Sequence, residues 1–112
     1  MLKKEYVNAE QAKELVNKGM ELLMTFNINK YQELYFTDKG MAYEDEHFIE
    51  EPSDVRDDLH ELENTVVDVA RDIRESQFFT SQLVNVAYIK EVISWVEKDA
   101  EWLKKLEVVV NA

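Results

Sequence analysis

Asp54, Asp58 and Glu61 recur at steps of four and three residues, a spacing that puts three carboxylates on one face of a helix. Their oxygens suit hard divalent cations such as Mg²⁺, Mn²⁺ or Ca²⁺, and a metal-dependent nucleotide phosphohydrolase would need a set of this kind. These three belong to a larger accumulation. Between Glu44 and Asp68 stand Glu44, Asp45, Glu46, Glu50, Glu51, Asp54, Asp57, Asp58, Glu61, Glu63 and Asp68, eleven acids against the single base Arg56. The flanks are nearly balanced, with six bases and six acids before this stretch and six bases and seven acids after it, so the net charge of −11 is almost all local.

Other chemistry has less to stand on. Glu50-Glu51-x-x-Asp54 departs from the paired acidic signatures of all-α nucleotide pyrophosphohydrolases, because Pro52 interrupts it and the first helical segment holds no second signature. His47 lies in the acidic stretch and His60 falls beside Glu61, neither in an HExxH arrangement. Ser53, Ser76, Ser81 and Ser94 lack a GxSxG elbow, and Gly19 and Gly40 cannot form a phosphate-cradling loop. There is no cysteine, which removes thiolate nucleophiles, disulfides and Cys-ligated metals and fits a reducing compartment. The expectation is a protein without catalytic residues, resident metal or cofactor.

The elements that must carry the acids follow from periodicity. Asn8 with Gln11 three residues on forms a capping-box pattern, and Ala12, Leu15, Val16, Gly19, Leu23 and Phe26 recur at helical steps, predicting a helix over 9–26. Val55, Leu59, Leu62, Val66, Val69 and Ile73 alternate steps of four and three, the seam of a long helix over 54–77 capped by Ser53. A last helix is expected over 81–106, capped by Thr80-Ser81. It carries two apolar stripes, one with Val86, Ile89, Ile93, Val96, Ala100 and Leu103, the other with Tyr88, Val92, Trp95, Trp102 and Leu106, interrupted by Asp99. Between the first two helices, Thr37-Asp38-Lys39-Gly40 has the composition of a tight turn, and a small β-hairpin or irregular arm is expected over 30–46. A short helix over 29–37 competes with it. The fold class is therefore mainly α, a single acidic domain over 1–112 built as a bundle of about three helices, two of them long and antiparallel.

A surface this acidic repels phosphates and anionic lipid, so basic protein surfaces are the expected partners, with no direct binding to nucleic acid or membrane. No secretory h-region and no long apolar run is evident, which points to a cytoplasmic protein. On the long helix, eight carboxylates from Asp54 to Glu75 average one per ~4 Å, close to the ~3.4 Å phosphate spacing of a DNA strand. Tyr43 and Phe48 add aromatic area of the sort that anchors interfaces. By class alone, with no shared motif, such a surface is similar to that of the DNA-mimic inhibitors by which phages and mobile elements occlude host nucleases, anti-restriction and anti-CRISPR proteins among them. An immunity protein covering a basic active site would look the same. The residues expected to bind are Tyr43, Glu44, Asp45, Glu46, Phe48, Glu50, Glu51, Asp54, Asp57, Asp58 and Glu61. The alternative is a self-associating helical protein, a homodimer through the seam and the Trp95/Trp102 face.

Overall fold

The computed structural model of the chain describes residues 2–78 and 83–112. Its elements run β1 (Tyr6–Asn8), α1 (Ala9–Thr25), α2 (Ile28–Tyr35), α3 (Asp38–His47), α4 (Pro52–Phe78), β2 (Leu83–Asn85) and α5 (Ala87–Val110). The mainly helical class is as expected, but among the described residues five helices take the place of about three.

Local chemistry explains most boundaries. Asn8 Oδ1 accepts from the Gln11 amide at 2.9 Å while Gln11 Oε1 accepts from the Asn8 amide at 3.3 Å, the reciprocal box that starts α1. Helix α4 begins at Pro52, two residues earlier than the seam predicted. The Glu51 carbonyl accepts its first bond, from Val55, and proline suits the first helical position because its fixed φ is helical and its missing N–H would go unpaired there. Ser53 therefore lies inside the helix rather than capping it.

The hairpin expected over 30–46 is replaced by α2 and α3. Asn27 Oδ1 caps α2 by accepting from the Lys30 amide, and Tyr31 and Tyr35 are both buried. Thr37 is the N-cap of α3, its Oγ1 accepting from the Gly40 amide at 2.9 Å. The turn composition was thus a helix start. No described glycine has positive φ, so Gly40 is present for space: a Cβ there would overlap the Leu34 and Tyr35 carbonyl oxygens where α3 abuts the end of α2.

The last helix begins at Ala87 instead of 81, because Leu83–Asn85 pairs as β2 with β1 in antiparallel register, Tyr6 opposite Asn85 and Asn8 opposite Leu83. Asn85 Oδ1 accepts from the Glu5 and Ala87 amides, tying the strand pair to the start of α5. The Thr80-Ser81 cap lies outside the described residues.

Two hydrophobic cores result. The larger is aliphatic: Ala12 and Val16 of α1, Leu62, Val66, Val69 and Ile73 of α4, and Val84, Val86, Ile89, Val92, Ile93 and Val96 pack together. Gly19 lets α1 approach α4, since a Cβ would stand 2.8 Å from Val66 Cγ2. The smaller core holds Tyr31, Tyr35, Ile49, Val55 and Leu106, flanked by Tyr43, Trp102 and Leu103. Val55 near the start of α4 meets Leu106 near the end of α5, so the long pair runs antiparallel. The heptad seam is filled within the chain by α1 and α5. Among the described residues no helix is long and apolar enough to cross a membrane.

Candidate functional site

All the sequence-predicted binding residues but Glu61 gather on α3, the start of α4 and the loop between them, beside the smaller core, while Glu61 adjoins Leu62 of the aliphatic core. Asp45, Glu46, Glu51, Asp54 and Asp57 are exposed, whereas Glu44, Glu50, Asp58 and Glu61 are half-buried. Tyr43 is also half-buried and stacks on His47 with ring centroids 4.0 Å apart. Phe48 caps α3 in the left-handed conformation, φ 53°, with 85% of its surface exposed. A non-glycine residue held there carries a strain of about 1 kcal/mol or more, and it turns the ring outwards beside the acids.

Helix α4 is continuous through all eight carboxylates that the sequence analysis counted. At ~100° per residue, every one of them except Glu63 falls within a wedge of ~100°, beside the apolar seam. Asp54, Asp57, Asp68, Asp72 and Glu75 on this stripe are exposed. Neutralisation is sparse. Asp68 pairs with Arg71 at 3.1 Å, but among the described residues none of the ten acids from Glu44 to Glu63 stands in an ion pair. Arg56, the base embedded in the stretch, donates to Gln32 Oε1 instead. Glu61 accepts from the Tyr88 hydroxyl at 2.9 Å, and burial followed by this bond holds the Tyr88 phenol above its ordinary value. Glu44 is held above the usual carboxylate range by desolvation first and then by its contact with Asp45.

Beneath this surface lies a group that the sequence reading passed over. Asp99 of α5 is 1% exposed, and its Oδ2 has no hydrogen-bond partner among the described residues. One oxygen each from Glu50, Asp58 and Asp99 lies within 4.8 Å of the others. The three come from the loop before α4, from α4 and from α5, so tertiary folding rather than helical spacing assembles them. The Asp54–Asp58–Glu61 triplet is not what converges: Asp58 turns to Asp99, while Glu61 engages Tyr88. Desolvation foremost, then the contact with Asp58 and the charges of Asp58, Glu50 and Asp54, pushes the Asp99 carboxyl up to about 9. Glu50 is pushed up to about 6 by desolvation and Asp58, against the opposing charge of Lys98. The signal for Asp99 was present in the sequence as the lone acid interrupting the Val92–Trp95–Trp102–Leu106 stripe.

The two tryptophans lie half-buried on α5, Trp95 against the aliphatic core and Trp102 against the smaller one, with Tyr88 edge-on to Trp95 and Lys98 over Trp102. Compared with protein-family models, curated proteins and solved structures, the chain matches none.

Proposed function

We propose that this is a non-enzymatic binding protein whose acidic α3–α4 face occludes a basic surface on a nucleic-acid-binding protein, in the manner of a DNA-mimic inhibitor or an immunity protein. The observation that carries this reading is the run of ten acids from Glu44 to Glu63 without an ion pair among the described residues. A solvated helix face ordinarily interleaves signs, since i,i+4 acid–base pairs relieve repulsion. Here the charge is left for an external counterpart. The exposed Phe48 ring beside it supplies apolar area for a contact with the flat face of an arginine. Phage or mobile-element inhibitors of nucleases, anti-CRISPR proteins included, are the class that this chemistry fits, and such a protein would act in the cytoplasm. Filling of the α4 seam inside the chain by α1 and α5 weighs against self-association through that seam.

The test uses the exposed acids alone. Wild type and a variant carrying Asp45→Asn, Glu46→Gln, Asp54→Asn and Asp57→Asn are immobilised and exposed to lysate at low and high salt, with and without duplex DNA. A nucleic-acid-binding protein held by wild type only, released by DNA or by salt, is the expected result, because steering between exposed charges is screened beyond ~10 Å at 0.1 M salt. Equal retention by a folded variant refutes the reading. Retention of nothing but further copies of the chain at high salt replaces it with a structural, self-associating role.

A further inference from the structure

We propose that Glu50, Asp58 and Asp99 form a binding site for one hard divalent cation, Ca²⁺ or Mg²⁺, that clamps the loop before α4 and the two long helices together. The inference goes beyond the docking surface, because the site is internal and needs no partner.

Two oxygens on one cation lie no further apart than twice the metal–oxygen distance, ~4.2 Å for Mg²⁺ and ~4.6 Å or more for Ca²⁺. All three candidate oxygens fall within 4.8 Å of one another, so a small contraction brings them onto one Ca²⁺ and a larger one onto Mg²⁺. All three donors are carboxylates, the choice for a hard cation and a poor one for zinc or copper.

Burial supplies the second, independent observation. Asp99 is 1% exposed, and its Oδ2 has no hydrogen-bond partner among the described residues. Proteins place a carboxylate in such surroundings only when something compensates it, through pairing, protonation or a metal. Nearby bases do not serve. Lys98, the base that acts on Glu50, has its ammonium over the Trp102 ring, 5.4 Å from its centroid. Asp58 and Glu50, the neighbours that do face Asp99, are acids.

Access and support are also in place. Glu50 and Asp58 are half-buried, so the cluster opens to solvent on their side, where waters complete the coordination of a cation that prefers six or more ligands. Behind it, the Tyr31 hydroxyl donates to the Glu50 main-chain carbonyl and fixes the loop, a supporting bond of the kind that orients ligands.

The experiment is calorimetric titration of the chelator-stripped chain with CaCl₂ and, separately, MgCl₂, together with its unfolding midpoint in each salt. Expected are saturation at one ion per chain below about 1 mM for at least one of the two, and a rise in the midpoint. Asp99→Asn should weaken that binding by about 100-fold and abolish the midpoint rise, while Asp57→Asn with Glu63→Gln, outside the cluster, should leave both unchanged. If Asp99→Asn does not fold, Glu50→Gln at its half-buried position must produce the same loss. The proposal is overturned if neither ion saturates, or if the cluster variants bind as wild type does and the ions merely collect on the acidic surface. Because no partner enters the measurement, failure here leaves the occlusion reading standing, and the exposed-acid variant tests that reading alone.

Discussion

Around the aliphatic core, four acids have bases beside them: Glu10 with Lys13, Glu97 with Lys18, Asp68 with Arg71 and Glu5 with Lys90. Towards the smaller aromatic core Lys30 pairs with Glu107, but the ten acids from Glu44 to Glu63 stand in no ion pair among the described residues, and a further acid, Asp99, is buried. One end is organised for stability, with branched side chains from α1, α4 and α5 interdigitating under a mixed-sign surface. The other carries like charges that repel, a left-handed Phe48 and a buried acid. Each of these costs folding free energy, and features retained at such a cost concentrate where proteins bind.

The two ends of the molecule differ most at Asp99. Its folded-state value of about 9 lies above the ordinary carboxylate range, so between about pH 4 and pH 9 the fold holds a proton that the unfolded chain has released. The resulting stability is fully present at the acid side of that window and is lost as pH rises through it, at about 1.4 kcal/mol per pH unit for each such proton. Urea unfolding of the chelator-treated protein at pH 5 and pH 8 should show lower stability at pH 8, and Asp99→Asn should remove most of the difference. A wild-type stability that climbs over this range would place a compensated charge at Asp99.

At the aliphatic end the converse applies, because Leu62 is fully buried among the aliphatic side chains of the larger core and does not titrate. Leu62→Ala should destabilise by about 2–5 kcal/mol at either pH, read from the urea midpoint, the range set by how far the cavity collapses.

Close approaches rank next. Gly40→Ala should cost about 1–3 kcal/mol by forcing α3 away from the end of α2, with loss of near-ultraviolet dichroism from the tyrosines concentrated at that end. The smallest effect belongs to the exposed ion pairs. Lys18→Met, which removes the partner of Glu97, should change stability by less than about 1 kcal/mol and should vanish in high salt.

How much of this was legible depended on how local the cause was. The α1 start was readable because Asn8 and Gln11 bond each other's amides across one turn. The α4 seam was readable because six apolar residues keep one period over most of a 27-residue helix. Helix α2 was legible only as the competing short helix over 29–37, and α3 was not, since elements of 8 and 10 residues show too few repeats to set a period and Thr37-Asp38-Lys39-Gly40 starts a helix with the residue types that also make a turn. Strand β1 could be read only as a candidate over 2–7, and β2 escaped: three residues each, they exist only because they meet across the length of the chain.

By itself, then, the amino-acid order determined the helical class, the long seam, the first cap and the confinement of the net charge to one stretch, since each follows from neighbours within a few turns. Tertiary structure decided that the tyrosines of α2 are core rather than surface, that the seam is spent inside the chain, and that Glu50, Asp58 and Asp99 share one place. The convergence of carboxylates 41 residues apart, from Asp58 to Asp99, is set by the antiparallel packing of α4 on α5, which no spacing along a single helix encodes.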